Sequence, residues 1–219
     1  MHSLLIPLRE NLHYADLVRE ALADVEDERL RRERFRDEIR EDQKAEFING
    51  EVVMHSPAKL WHSEASLSIC EIMRNFARVH KLGRVLHEKT MIALTRNDYE
   101  PDVVFFRNAK ADKFEGRQML FPTPDLAVEV LSDSTARRDR TVKLFDYAEH
   151  GVEEYWIVDP EKKTVEQYLL EDGAYRPAFT GSEGVIACRA MAGLRVPVAA
   201  IFSSDALGEL LLDIALKRG

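Results

Sequence analysis

Cysteine is nearly absent: the 219 residues contain only Cys70 and Cys188. They form no CxxC pair and no zinc-like spacing, which excludes a disulfide framework and a cysteine-held zinc centre. Two small buried hydrophobes in a reducing compartment is the reading they support. The seven histidines show no HxH or HExxH pattern, so a histidine zinc centre is not expected either. No GxSxG elbow surrounds Ser132 or Ser134, and both are read as loop or helix-cap residues. No run of eighteen apolar residues occurs, and MHSLLIPLRE lacks an apolar stretch of signal-peptide length. A soluble cytoplasmic protein is expected. Positive charge is also short, with 31 Lys and Arg against 39 Asp and Glu and a net charge of -8. Non-specific nucleic-acid binders are usually basic, so any contact with DNA or RNA must come from a local patch. Aromatic residues make up 8%, thin for a sugar cleft, which weakens a carboxylate-pair glycosidase reading.

What is present fits one α/β domain with an appendage. Residues 1–44 read as a charged helical extension, because ADLVREALADVEDERLRRERFRDEIRE has no Pro or Gly and places opposite charges at i, i+4. Its plain reading is a solvated helix; its sharper one is a helix that docks on a partner. Residues 45–203 read as the main domain, and 204–219 as a C-terminal helix. In AEFINGEVV the Asn49-Gly50 pair predicts a two-residue hairpin, since both central positions favour positive φ. Apolar spacing predicts a helix over 61–80, between Pro57 and Gly83. VLHEKTMIAL and PDVVFF read as strands, 107–122 as a loop, and DLAVEVL as a strand. TARRDRTVKLFDYAEHG reads as a helix capped by Ser134 or Thr135, and EEYWIVD as the next strand. That strand–helix–strand unit suits a parallel crossover. Trp61 and Trp156 are read as packing residues.

Four acids fall on or beside apolar strands: Asp102 opens VVFF, Glu129 lies between Val128 and Val130, and Glu46 and Glu51 flank the hairpin. A carboxylate inside a strand costs several kcal/mol unless it is paired or holds a cation. If the strands starting near 102 and 125 are neighbours, Asp102 and Glu129 approach each other, and two such carboxylates repel unless a cation neutralises them. Magnesium is bound in this manner. Lys143, on the helix after the Glu129 strand, can turn its ammonium to a scissile phosphate or help deprotonate water. A structural pair between Glu129 and Lys143 or an arginine remains the alternative. Arg137, Arg138 and Arg140 are either a solvated face or a local basic patch suited to phosphates.

An Asp after Pro at a strand start, an acid on the next core strand and a nearby lysine resemble the PD-(D/E)XK nuclease superfamily. Residues 45–170 are similar to the Uma-two family of restriction-endonuclease-like proteins. EFINGEVV, SPAKLWH, EPDVVFF and PDLAVEVLSDSTARRDRTVKLFDYAEHGVEEYWIVDP carry that likeness. The resemblance implies a restriction-endonuclease-like mixed β-sheet core flanked by helices and Mg²⁺- or Mn²⁺-dependent hydrolysis of phosphodiester bonds, with DNA as the expected partner. It implies Asp102 and Glu129 as metal ligands. Leu131 stands where the superfamily pattern has its lysine, and Lys143 is then the migrated one. Glu46 and His62 are implied as an outer metal ligand or a substrate contact. A homodimer is expected, because cutting both strands of a duplex needs two sites. The competing expectation is a non-catalytic module on the same fold that binds nucleic acid or a protein partner.

Overall fold

A computed structural model describes residues 5–40 and 42–216. The first four residues of the N-terminal extension, Glu41 in its last part and residues 217–219 of the expected C-terminal helix lie outside the described residues. The chain opens with α1 (Leu5–Arg9) and the long α2 (Tyr14–Glu38). The hairpin β1 (Ala45–Ile48) and β2 (Glu51–Met54) leads to α3 (Leu60–His80). Then come β3 (Gly83–His87), β4 (Met91–Ala93), β5 (Asp98–Tyr99), β6 (Val103–Arg107), α4 (Asn108–Ala111) and β7 (Leu120–Phe121). β8 (Leu126–Val130), α5 (Ala136–Asp139), α6 (Val142–Glu149) and β9 (Glu154–Asp159) follow. The rest is β10 (Thr164–Glu171), β11 (Ala174–Gly181), β12 (Val185–Ala187), β13 (Arg195–Pro197), α7 (Ala199–Phe202) and α8 (Ser204–Leu216).

The larger sheet runs β11-β10-β9-β8-β6-β3, and the smaller runs β2-β1-β5-β4-β7. β8 and β9 are the parallel pair of the larger sheet, as expected of the strand–helix–strand unit, and both are buried along their whole length. Burial on both faces explains their near-continuous apolar sequence. Alternation then assigns the faces. Val103, Phe105, Val128, Val130 and Trp156 pack with Ile69, Met73 and Phe76 of α3. Val104, Phe106, Ala127, Tyr155 and Ile157 pack with Tyr147 of α6. Glu129 shares the parity of Ala127, so the strand turns it toward α6.

The Asn49-Gly50 hairpin forms as expected, with φ of 50° and 85°. Three expectations are corrected. The segment 85–94 is two strands in different sheets, because Glu88 and Lys89 take left-handed φ of 49° and 45° and turn the chain. The segment 107–122 is not all loop, since α4 and β7 lie within it. The single helix expected after β8 is broken into α5 and α6. At the break Thr141 has φ -126° and ψ -86°, and its hydroxyl donates to the Arg137 carbonyl at 2.6 Å. A Thr hydroxyl that competes for a backbone acceptor disturbs the helical ladder. Gly83, beyond the end of α3, opens β3: its φ is +154°, and a Cβ there would come within 1.9 Å of the Phe106 carbonyl oxygen. Lys81, in the left-handed region, is the cap of α3.

The C-terminal half of α2 is tied into the fold by charge. Asp98, fully buried on β5, accepts from Arg32 at 2.6 and 2.9 Å and from Arg36 at 2.7 and 2.8 Å. Arg31 donates to the Gly50 carbonyl at 2.6 Å, and Arg96 pairs with Glu28 at 2.7 Å. Phe35 packs with Phe47 and Met91 beneath. No helix among the described residues is long and apolar enough to cross a membrane.

Asp98→Asn removes the carboxylate from two guanidinium groups, and breaking a buried ion pair on one side costs about 3–5 kcal/mol. Urea unfolding of the variant is expected to show a loss of that order, with limited proteolysis cutting within α2 first.

Candidate active site

Lys143 lies in the first turn of α6 with its side chain fully buried. Its ammonium stands 2.8 Å from Glu46 Oε1, 2.9 Å from Glu129 Oε1 and 3.2 Å from Asp139 Oδ1. Tyr147, one turn further, donates its hydroxyl to Glu129 Oε1 at 3.1 Å. Glu46 is held in turn by the Glu100 backbone N–H at 2.9 Å. Both carboxylate oxygens of Asp139 are buried and receive no hydrogen bond. Burial pushes all three carboxyls up, and the ammonium opposes it. One ammonium cannot hold three buried carboxylates ionised. Glu46, which also has His55 beside it at 3.2 Å, settles at about 2, while Glu129 and Asp139 rise. Lys143 itself is held well above its usual value, because the carboxylates outweigh burial.

Asp102 sits immediately before β6, beside β8 in the antiparallel register Val103↔Val128. Its Oδ2 accepts from the Val130 N–H at 2.8 Å. Its Oδ1 faces Lys44 Nζ at 2.8 Å and His62 Nε2 at 3.3 Å. Burial would raise its pKa, but His62 and Lys44 hold it well below the usual carboxylate range. Burial would likewise lower His62, and the Asp102 carboxylate outweighs it and raises it.

A cavity of about 690 Å³ opens against this wall. Asp102, Glu129, His62, Lys44, Trp61 and Arg140 border it. Glu46 and Lys143 do not; they stand behind Glu129. The structure therefore gathers Asp102, Glu129, Lys143, Glu46 and His62, but it turns the Lys143 ammonium to the carboxylates behind the cavity. The three arginines are not gathered. Arg140 reaches the border with its guanidinium on Glu166 at 2.6 Å, Arg137 is exposed on α5, and Arg138 reaches only the Ser134 carbonyl. Glu51 is exposed on β2, away from the site.

The donor set suits a hard divalent cation. Asp102 and Glu129 border the cavity, and because Lys143 alone cannot keep Glu46, Glu129 and Asp139 all ionised, a cation at the cavity would favour the ionised form of Glu129. Among the described residues no three His, Cys, Asp or Glu side chains are gathered into a ready cage. A cation held there would take few protein ligands and complete its shell with water or phosphate oxygens, as magnesium does.

Asp139, Lys44 and the exposure of Trp61 were not anticipated from the sequence, and Tyr147 was open there between a packing and a site role. Asp139 and Tyr147 lie four residues before and after Lys143, a one-face spacing that was available as a signal. Lys44 sits in a polar stretch without periodicity and gave none. Trp61, expected to pack, is 45% exposed at the cavity, whereas Trp156 is fully buried.

Comparison with known proteins places this geometry. A crystal structure of "a putative nuclease belonging to DUF820" from Anabaena variabilis ATCC 29413 shares the fold, with a TM-score of 0.67 at 17% identity, over 79% of this chain and 96% of that one. The fold is thus a restriction-endonuclease-like mixed sheet flanked by helices. A search of curated proteins finds no match. The model of the Uma2 family, described as "Putative restriction endonuclease", matches residues 28–199, and the chain belongs to that family. The matched span begins at Glu28, the first residue of α2 seen above to be tied to the domain.

Glu100, buried beside this cluster, has its pKa raised to about 7 by burial. A carboxyl raised in the fold binds more protons folded than unfolded, so its contribution to stability falls as pH rises from about 4.5 to about 7. Glu100→Gln is expected to unfold at higher urea than the wild type at pH 8, by up to about 3 kcal/mol. The gap should close toward pH 4.5. A gap independent of pH would contradict the assignment.

Proposed function

We propose that this chain is a Mg²⁺-dependent nuclease that hydrolyses phosphodiester bonds in DNA. The observation that carries the reading is that Asp102, immediately before β6, and Glu129, on the adjacent β8, are both nearly inaccessible and both border one open cavity. They would hold the cation, which when bound polarises a phosphoryl oxygen and makes water a stronger nucleophile. Lys44 and His62 keep Asp102 ionised and aimed at the cavity. Lys143 acts through Glu129: its charge favours the ionised carboxylate, and Tyr147 fixes the rotamer of the same side chain. Glu46 holds Lys143 from the far side. Lys143 stays fully protonated in this setting, so its part is to supply charge and not to take a proton from water.

A second reading has an observation of its own. Lys44 and Lys143 already oppose Asp102 and Glu129, so the wall is partly neutralised without a cation. That favours a binding module on a nuclease fold, with nucleic acid or a protein as its partner.

Calorimetric titration with Mn²⁺ separates the two. The nuclease reading expects binding to the wild type that Asp102→Ala and Glu129→Ala each abolish while circular dichroism shows both still folded. It also expects chelator-sensitive cleavage in a DNA screen. Unchanged Mn²⁺ binding by Asp102→Ala would overturn it.

A further inference from the structure

Trp61 is the second residue of α3, beside His62 at the candidate site and on the border of the cavity. It is 45% exposed, and its neighbour Leu60 is 75% exposed. Lys59 lies 5.5 Å from the ring centroid and is itself paired with Asp133 at 2.8 Å. A large ring left this exposed at a cavity mouth is placed to contact a ligand. The charge of the border decides which kind. Seven acidic and five basic side chains surround the cavity. The basic ones are engaged: Lys44 with Asp102, Lys59 with Asp133, Arg140 with Glu166 and Lys162 with Asp159, and Lys89 has an interaction of its own. A duplex is gripped chiefly through its phosphates, and this border has little free positive charge for them. Stacking on an aromatic ring is independent of charge and tolerant of sequence. It needs the face of a base, which a duplex keeps inside its own stack.

We propose that Trp61 is a stacking platform for an unpaired base, and that the site takes single-stranded nucleic acid. The inference rests on the nuclease reading and narrows its substrate. A base on Trp61 lies next to His62, which brings the adjoining phosphate to the Asp102 side of the cavity. A single strand needs one site to be cut, which removes the need for the symmetric dimer that a duplex cutter implies.

The chain has two tryptophans, and Trp156 is fully buried, so solvent-accessible tryptophan emission reports on Trp61. The test is a titration of wild type, Trp61→Phe and Trp61→Ala against a dye-labelled mixed-sequence single-stranded oligodeoxynucleotide and its blunt duplex, with affinity read from the anisotropy of the label and Trp61 emission followed in the wild type. It is run in excess chelator and again with Ca²⁺. Quenching by the single strand is expected in the wild type. Its affinity should fall roughly ten-fold or more in Trp61→Ala and be largely retained in Trp61→Phe. The duplex should bind more weakly and be indifferent to the substitution. Equal binding of strand and duplex, unchanged in Trp61→Ala, would overturn the inference and leave the nuclease reading standing. Absence of binding to either, with or without Ca²⁺, would overturn both.

Discussion

The ammonium of Lys143 is shared by Glu46, Glu129 and Asp139, and the shape of the site follows from it. Glu46 comes from β1 of the smaller sheet, Glu129 from β8 of the larger sheet, and Asp139 from α5. Four elements therefore meet at one nitrogen atom. A buried carboxylate without a partner costs several kcal/mol, so each of these elements is constrained to keep its acid within reach of the same point. The interruption at Thr141 belongs to the same arrangement. It separates the short helix that carries Asp139 from the one that carries Lys143, and both side chains still face Glu129.

A second line of acids runs along the chain from β5 to β6. Asp98, Glu100 and Asp102 are spaced by two residues, and all three are buried. Their partners lie along the chain from the C-terminal half of α2 to the first residue of β1. Asp98 takes Arg32 and Arg36, Glu100 accepts from the Ala45 N–H at 3.1 Å, and Asp102 takes Lys44. The seating of α2 is thereby coupled to the position of Lys44 at the cavity. A helix that composition marks as solvated surface has, in its C-terminal half, a direct part in building the candidate site.

Much of this was legible in the sequence, and the gaps have physical reasons. Strand parity around Glu129 and the Asn49-Gly50 signal are local, and both hold. The break in 85–94 was hidden because Glu88 and Lys89 carry no Gly, Pro or Asn to announce positive φ. The position of Lys143 on the helix was readable, but not the direction of its ammonium, which depends on Glu46 arriving from a strand almost a hundred residues earlier. Asp139 stands at i−4 from Lys143, a legible spacing, but it is flanked by three arginines, so its local sequence reads as a basic face. Lys44 was not readable, since its placement depends on the long-range anchoring of α2 by Asp98. Trp61 misled because it shares the i, i+4 row of Ala65 and Ile69, which are core; its turn of the helix lies at the cavity instead.

The bond from the Val130 N–H to Asp102 Oδ2 gives that residue a second occupation. One oxygen meets Lys44 and His62 while the other stitches the start of β6 to the strand that carries Glu129. A side chain with both duties is kept by selection for folding even after selection for chemistry has ended. In relatives of this chain, retention of the aspartate is therefore a poor sign of a working site. A ring such as that of Trp61, half exposed and met only at its face by Lys59 among the described ring contacts, is freer to drift once there is no substrate to meet. Its presence or loss is the better historical record of use.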